Sequence, residues 1–281
     1  MNYVTLNNGV KMPQLGFGCF QITDYDKCKE VVLNALDMGY RLIDTAALYE
    51  NEGAVGAAIR ESGIPREDIF ITTKILARDT REDKVKDAFN RSIENLGLDY
   101  IDLYLIHQPF NDSYGAWRTM SELYRAGRCR AIGVSNFFPD KFVDFCFNNE
   151  VIPAVNQFEV HPFFQNELLC RLTKQYNVQL EAWGPLAENR NGIFQNPVLA
   201  GIAEKHEKTI AQVILRWHMQ RGIVAIPKST RKERMIENIS VFDFELDVFD
   251  MLKIESLETG KSVDGDYRDP ECAYMMNALG F

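Results

Sequence analysis

The chain has 281 residues, of which 46% are hydrophobic, so it is long enough to bury a large core. Its net charge of −9 argues against nucleic-acid binding, which needs a basic patch or stripe. No run approaches the ~20 apolar residues that cross a bilayer, and the first residues lack the pattern of a signal peptide. We therefore expect a cytoplasmic protein without nucleic-acid or membrane partners.

The spacing of cysteines and histidines predicts neither disulfides nor a metal site. The six cysteines lie far apart without a CxxC pair, which is typical of free thiols in a reducing compartment. The four histidines show no metal-ligand spacing with these cysteines, so no zinc is expected. Glycine and proline are scattered singly, and no linker separates one part of the chain from another.

The chain opens with a predicted β-hairpin and continues as a series of short apolar runs. Val4-Thr5-Leu6 and Val10-Lys11-Met12 flank Asn7-Asn8-Gly9, where Asn-Gly supplies the positive φ angles of a tight turn. Eight runs of about strand length follow, rich in β-branched or aromatic residues. They are 15–17, 41–44, 69–74, 101–107, 130–134, 154–157, 179–182 and 223–227.

The longer segments between these runs have helical spacing of apolar residues. Three of them end near a glycine, at Gly39, Gly97 and Gly222, which is typical of helix C-termini. Asp24 and Thr80 are candidate N-caps for the first of these helices and for the one that ends at Gly97.

Strands that alternate with helices predict an α/β fold with a parallel sheet covered by helices. Eight such units in this length favour a single (β/α)₈ TIM barrel over residues 1–281. A doubly wound open sheet is the alternative. It binds its dinucleotide at a glycine-rich first turn, but Gly16-Phe17-Gly18 is followed by Gln21 where a third glycine is needed. We interpret these glycines as packing residues of the first strand.

Ionisable residues stand where the predicted strands end. Asp44 ends the second strand, Tyr49 lies in the loop after it, Lys74 ends the third strand and His107 ends the fourth. Each alone has a structural interpretation, as a loop cap, a half-buried aromatic, a solvated strand end or a satisfied histidine. Because the active site of such a barrel lies at the C-terminal ends of the strands, we expect the four to converge.

These four side chains suit the reduction of a carbonyl group. A tyrosine phenol has an unperturbed pKa near ~10, and a lysine cation nearby lowers it. Asp44 can hold Lys74 charged, and a neutral His107 can donate a hydrogen bond to a carbonyl oxygen. Since no side chain supplies hydride, the chemistry requires a cofactor.

The motifs around these residues resemble those of the aldo-keto reductases. They are Leu42-Ile43-Asp44-Thr45-Ala46, Tyr49-Glu50-Asn51-Glu52, Leu105-Ile106-His107-Gln108-Pro109, Gly133-Val134-Ser135-Asn136-Phe137, Asn156-Gln157-Phe158-Glu159-Val160-His161-Pro162 and Ile226-Pro227-Lys228-Ser229-Thr230. Two further segments, 181–186 and 241–244, look most like the bacterial diketogluconate reductase branch. The resemblance covers nearly the whole chain and thins after about Thr259.

The resemblance implies an NADPH-dependent reductase of aldehydes and ketones. Tyr49 is then the general acid, tuned by Lys74 and Asp44, and His107 orients the carbonyl. The implied nicotinamide contacts are Ser135, Asn136, Gln157 and Trp183, and Gly184 and Leu186 are further implied cofactor contacts. The implied contacts of the adenosine 2′-phosphate and adenine are Lys228, Ser229, Thr230, Arg234, Glu237 and Asn238. Paired cations and hydroxyls suit a phosphate dianion.

The substrate pocket departs from many members of that family. Gln108 and Phe20 stand where relatives carry tryptophan, so the substrate itself is left open. Phe20, Gln108, Phe110 and Tyr274 are the predicted substrate wall. The resemblance also implies that the loop 187–192 folds over the cofactor and that the C-terminal tail covers one side of the active-site end. We expect a monomer that acts on a small carbonyl compound.

Two other classes of function stay open at this point. A cofactor-binding regulatory or structural protein could use the same barrel, and it would bind NADPH tightly without turnover. An isomerase or aldolase without nicotinamide could use Lys74 covalently, and borohydride would trap its Schiff base.

Overall fold

The computed structural model describes residues 2–279 and begins with the predicted hairpin. Strands β1 (Tyr3–Thr5) and β2 (Lys11–Pro13) pair antiparallel, with Val4 opposite Met12. Leu6 and Met12 are buried beneath the main sheet, where they belong to its interior apolar cluster. The hairpin therefore closes the amino-terminal end of the sheet.

The eight predicted strands form one parallel sheet in chain order. They are β3 (Phe17–Gly18), β4 (Leu42–Asp44), β5 (Phe70–Ile75), β6 (Ile101–Ile106), β7 (Cys129–Ser135), β8 (Val155–Glu159), β9 (Gln179–Trp183) and β10 (Val224–Ala225). A parallel bridge between Leu15 and Ala225, with Gly16 N donating to Ala225 O at 2.8 Å, joins the last strand to the first. The predicted barrel is confirmed.

Helices follow most strands and cover the outside of the barrel. They are α1 (Tyr25–Asp37), α2 (Glu52–Glu61), α3 (Val85–Leu96), α4 (Ser113–Arg125), α5 (Pro139–Phe147), α6 (Glu167–Gln175), α7 (Pro197–Lys205), α8 (Ile210–Gln220), α9 (Lys232–Ile239), α10 (Val248–Glu255) and α11 (Pro270–Leu279). In residues 2–279 no helix combines the length and the apolar character that crossing a bilayer requires.

One of the two predicted N-caps is confirmed and the other is wrong. The Asp24 side chain accepts from Lys27 N at 2.7 Å and caps α1. The Thr80 hydroxyl instead donates to Ala77 O at 2.7 Å, inside a short 3₁₀ turn, and α3 begins only at Val85. Because Lys84 and not Thr80 directly precedes α3, the Thr80 side chain cannot cap that helix.

The glycines of the first strand are packing residues, as predicted. A Cβ on Gly16 would lie 2.5 Å from the Leu42 side chain, and one on Gly18 would lie 3.0 Å from Ile226 O. The neighbouring strands therefore approach the first strand more closely than any larger residue allows.

The inside of the barrel changes from apolar to polar along its axis. Because strand side chains alternate with a period of two, Leu42 and Asp44 both face inward from β4, as do Val155 and Gln157 from β8. Leu42 and Val155 belong to the apolar cluster near the hairpin, whereas Asp44 and Gln157 lie at the C-terminal end. The polar layer forms the floor of the site.

The C-terminal tail is anchored to the barrel at one buried carboxylate. Glu159, which ends β8, accepts from Ser262 Oγ at 2.5 Å and from Val263 N at 2.8 Å. The Arg190 guanidinium in the loop 187–192 donates to Val263 O. These bonds hold the tail and the loop together, and the expected position of the tail over the active-site end is confirmed.

Candidate active site

A cavity of about 1320 Å³ opens at the C-terminal ends of the strands. One end is lined by Phe20, Tyr49 and His107, and the other by Lys228 and Arg234. One continuous space therefore connects the predicted proton donor with the predicted phosphate contacts.

Three of the four predicted catalytic residues meet around one buried amine. Lys74 Nζ lies 2.6 Å from Asp44 Oδ1, 2.9 Å from Thr45 O and 3.4 Å from the Tyr49 hydroxyl. Strands β4 and β5 are neighbours in the sheet, and the short loop after β4 brings Tyr49 back over Lys74. Lys74 itself does not line the cavity, but two of its partners, Asp44 and Tyr49, do.

Lys74 stays protonated in this setting. Burial acts against its charge, but the nearby Asp44 and Tyr49 outweigh burial and hold the pKa of Lys74 above its ordinary value. Burial raises the pKa of Asp44, and the attraction of the Lys74 ammonium opposes that rise. Since the pair is in direct contact at 2.6 Å, we treat it as an ion pair.

The phenol of Tyr49 is protonated at neutral pH. Burial raises its pKa to about 12, although Lys74 alone acts to lower it. The sequence led us to expect a lowered pKa, and this expectation is wrong for the residues as they stand. The reason is the burial of Tyr49, whose ring packs against that of Phe20 with 5.0 Å between the centroids.

His107 is neutral and stands beside Tyr49. Burial and the Lys74 charge lower its pKa to about 3, and its ring centroid lies 5.8 Å from that of Tyr49. Its Nδ1 is buried without a hydrogen-bond partner among residues 2–279. A neutral imidazole carries one N–H, so His107 can offer one donor to an oxygen in the cavity.

Three predicted nicotinamide contacts lie on or directly after the adjacent strands β7 and β8. Ser135 on β7 stands opposite Gln157 on β8, and both line the cavity. The Ser135 hydroxyl is buried and has no partner in the described part of the chain. The Asn136 side chain is already engaged, since it accepts from Trp183 Nε1 at 2.9 Å and donates to His107 O at 3.2 Å. Asn136 therefore also fixes the Trp183 ring against the cavity.

Three cations converge at the far end of the cavity. Lys228, Arg231 and Arg234 all line it, and within residues 2–279 none of them forms an ion pair. Ser229 Oγ accepts from Arg231 N at 3.2 Å, which shapes the turn before α9. Thr230 is exposed and does not line the cavity.

The remaining predicted cofactor contacts lie along the same wall. Gly184, Leu186, Glu237 and Asn238 line the cavity. Glu237 accepts from the Thr209 hydroxyl at 2.6 Å. This bond ties α9 to the start of α8 at the edge of the cavity.

The predicted substrate wall is only partly assembled. Phe20 and Gln108 line the cavity, whereas Phe110 is half-buried beside it and Tyr274 is 75% exposed on α11. The tail contributes instead through Met276, two residues further along the same helix.

Several lining residues were not predicted as site residues. Asp264, Tyr267 and Met276 come from the tail, and Arg231 comes from the turn before α9. Arg231 could have been found from the cluster of basic residues after Lys228. The tail residues belong to no recognisable sequence motif, so only the structure shows which of them face the cavity.

Comparison with known proteins identifies the family. Residues 14–259 match the model of the aldo/keto reductase family. The chain is 47% identical over 261 residues to a glyoxal reductase of Bacillus subtilis, covering 92% of this chain and 94% of that protein. It is 40% identical over 266 residues to the methylglyoxal reductase DkgA of Escherichia coli, covering 94% and 96% respectively.

A solved structure shares the fold and holds a nicotinamide nucleotide. The aldo-keto reductase of Bombyx mori in complex with NADP superposes with a TM-score of 0.90 at 32% identity, covering 95% of this chain and 97% of that one. The chain belongs to the aldo/keto reductase family. The predicted class, an NADPH-dependent oxidoreductase that acts on carbonyl groups, is confirmed.

The residues of this chain fit such a cofactor. Among the described residues the Ser135 hydroxyl has no partner and the three cations form no ion pair, and all four side chains line the same cavity as Tyr49. Hydroxyl and amide groups suit a nicotinamide carboxamide, and clustered cations suit a phosphate group.

Proposed function

We propose that this protein reduces short aldehydes and ketones with NADPH, and that Tyr49 donates the proton. The observation that carries the proposal is the contact of the protonated Tyr49 with Lys74, 3.4 Å apart, beside a neutral His107. The bound cofactor supplies hydride, and the chain's own residues manage the oxygen of the substrate.

His107 and Tyr49 have separate tasks at that oxygen. His107 donates its single N–H and orients the carbonyl, because it carries no charge at working pH. Tyr49 donates its phenolic proton as negative charge develops on the oxygen. Lys74, held by Asp44 at 2.6 Å, stabilises the phenolate that this transfer leaves behind.

The cofactor contacts are proposed from the lining of the cavity. Ser135 and Gln157 hold the nicotinamide carboxamide, and Trp183 stacks on the ring. Lys228, Arg231 and Arg234 bind the 2′-phosphate, with α9 beginning at Lys232 and adding its N-terminal dipole. This cluster of cations favours NADPH over NADH.

The substrate end favours a small carbonyl compound with a second polar group. Phe20 and Met276 supply apolar contact, while Gln108 and Tyr267 supply polar groups within the same cavity. The glyoxal and methylglyoxal reductases among the relatives carry names that agree with this size and polarity. We propose short α-dicarbonyls as the substrate class.

A panel of carbonyl compounds tests the proposal. The protein is mixed with NADPH or NADH and with glyoxal, methylglyoxal, a simple aliphatic aldehyde or an aromatic aldehyde, and the loss of reduced cofactor is followed. We expect turnover with NADPH, fastest with the dicarbonyls, and a much higher KM for NADH. Tight NADPH binding without turnover across the panel would instead support a regulatory binding protein.

The covalent alternative is disfavoured by the setting of Lys74. A Schiff base needs a neutral amine, whereas this amine is buried, is bonded to Asp44 and Thr45 and has a raised pKa. We expect no trapping by borohydride. The monomeric state and the cytoplasmic location stay predictions, which sedimentation and cell fractionation would test.

A further inference from the structure

A second buried carboxyl group lies under the candidate nicotinamide site. Glu181 is fully buried in the middle of β9, directly opposite Gln157 on β8 and Val224 on β10. Its Oε2 accepts from Gln157 Nε2 at 2.8 Å, and its Oε1 has no partner among residues 2–279. It does not line the cavity, and the proposed reaction does not use it.

Glu181 and Asp44 together take both hydrogens of one amide. Gln157 Nε2 donates to Glu181 Oε2 and, across the barrel, to Asp44 Oδ2, each at 2.8 Å. A carboxamide nitrogen has two N–H groups, so this nitrogen has no further hydrogen to donate. The Gln157 oxygen must then point away from the two carboxyl groups. No residue in 2–279 donates to that oxygen.

We propose that Glu181 is a positioning residue that fixes the carboxamide of Gln157, so that the Gln157 oxygen is presented to the carboxamide of the bound nicotinamide. The inference rests on the proposed function, because it assigns to Glu181 a role in binding the nicotinamide cofactor. Without an acceptor at position 181, one N–H of Gln157 is unpaired, and the amide can rotate to satisfy it elsewhere.

The surroundings of Glu181 suit a neutral acid. Burial and the Asp44 charge raise its pKa to about 8, while Gln157 and Lys74 act in the other direction. A neutral carboxyl can still accept from Gln157, and it adds no second negative charge beside Asp44, Lys74 and Tyr49. The amide of glutamine offers the same kind of acceptor, so Glu181→Gln should preserve the contact.

The test compares variants that keep or remove the acceptor. Glu181→Gln keeps it, and Glu181→Met removes it at similar volume. Glu181→Val, whose side chain suits a buried strand, replaces the methionine variant if that protein does not fold. Asp102→Asn is the matched control, since Asp102 is a buried carboxylate that bonds Arg66 and Arg130 on the outside of the site.

Three quantities are measured on each full-length protein. They are Tm, the Kd of NADPH from fluorescence titration, and the stereochemistry of deuterium transfer from NADPH labelled at one C4 position. We expect Glu181→Met to raise Kd about tenfold, the size of one lost hydrogen bond, and to transfer deuterium less selectively. Glu181→Gln should stay within about twofold of the wild type in Kd, and its selectivity should be unchanged.

The control separates positioning from stability. Asp102→Asn should lower Tm while leaving Kd and selectivity unchanged. The inference is overturned if Glu181→Met matches the wild type in the Kd of NADPH and in the stereochemical selectivity of transfer. It is also overturned if Glu181→Gln loses as much affinity and selectivity as Glu181→Met, or if Asp102→Asn does. If the wild type itself does not bind NADPH, the proposed function fails instead.

Discussion

The Lys74 ammonium contacts Asp44 and Tyr49, and its charge has a different effect on each of them. Asp44 contacts it at 2.6 Å and offsets the cost of burying the ammonium, while Tyr49 contacts it at 3.4 Å. In the resting site burial dominates and the phenol keeps its proton. The Lys74 charge matters most when the proton has left, because a phenolate beside it is far better stabilised than the phenol.

The pKa shifts at this site predict a flat pH profile for carbonyl reduction and a rising one for alcohol oxidation. Tyr49 has a pKa of about 12 and His107 of about 3, so neither titrates between about pH 5 and 7. The rate of carbonyl reduction at saturating substrate should change by less than about twofold over that range. Alcohol oxidation needs the phenolate, so its rate should rise by about tenfold per pH unit.

Steady-state rates in both directions, across buffers of constant ionic strength, check this prediction. A loss of reduction centred near pH 6.5, the ordinary histidine pKa, would mean that His107 titrates and that its proposed neutral role is wrong.

At the residue scale, the identity of the catalytic group could be predicted, but its electrostatics could not. The strand-end pattern placed Asp44, Lys74 and His107 together. In the structure Asp44 and His107 line one cavity with Tyr49, and Lys74 contacts Asp44 and Tyr49. The net pKa of Tyr49 depends on how completely Phe20 and the loops exclude water. That shielding comes from long-range contacts for which the local sequence has no signal.

At the scale of secondary-structure elements, the register of the parallel strands organises the site. Ser135, Gln157 and Glu181 stand opposite one another on β7, β8 and β9. The eight strands were predictable because each is a short apolar run between helical segments. Glu181 was not predicted as a site residue, because a carboxylate inside an apolar run does not reveal its partner, here Gln157 on the neighbouring strand.

The face of helix α11 that turns toward the cavity could not be predicted from the sequence. Its aromatic Tyr274 was expected in the pocket, but Tyr274 faces outward and Met276 lines the cavity. The rotation of a helix that starts at Pro270 after an irregular tail is set by its docking contacts. The apolar residues Tyr274, Met275 and Met276 are adjacent, so periodicity gives no preferred face.

The start of α9 carries a prediction about the choice of cofactor. Arg234→Ala should raise the Kd of NADPH by about 10- to 100-fold and leave that of NADH nearly unchanged, because the guanidinium is proposed to bind the 2′-phosphate, which NADH lacks. Lys232→Ala is the matched control, since Lys232 is exposed at the start of the same helix and does not line the cavity.

Fluorescence titration of the Arg234 and Lys232 variants with both cofactors measures the selectivity. If Arg234→Ala loses equal affinity for NADPH and NADH, Arg234 does not recognise the 2′-phosphate. If Lys232→Ala loses as much affinity for NADPH as Arg234→Ala, the effect comes from the total positive charge at the start of the helix and not from a contact of Arg234.

At the scale of the whole molecule, the apolar core of the barrel and the candidate active site lie at opposite ends of its axis. The hairpin and the apolar interior, with Leu6, Met12 and Leu103, close one end. Asp44, Gln157 and the tail define the other end, where Glu159 anchors Ser262 and Val263. Changes of substrate preference can therefore be made in the tail and loops without disturbing the core that carries Lys74.

The central claim is that Tyr49 supplies the proton, and single-turnover reduction of methylglyoxal by protein preloaded with NADPH tests it most directly. Tyr104→Phe is the matched control, because the buried Tyr104 hydroxyl has no partner among residues 2–279 and does not line the cavity. We predict that Tyr49→Phe slows the turnover by about 10³-fold with an unchanged Kd of NADPH, while Tyr104→Phe reacts like the wild type. A Tyr49→Phe rate within about tenfold of the wild type would contradict the account.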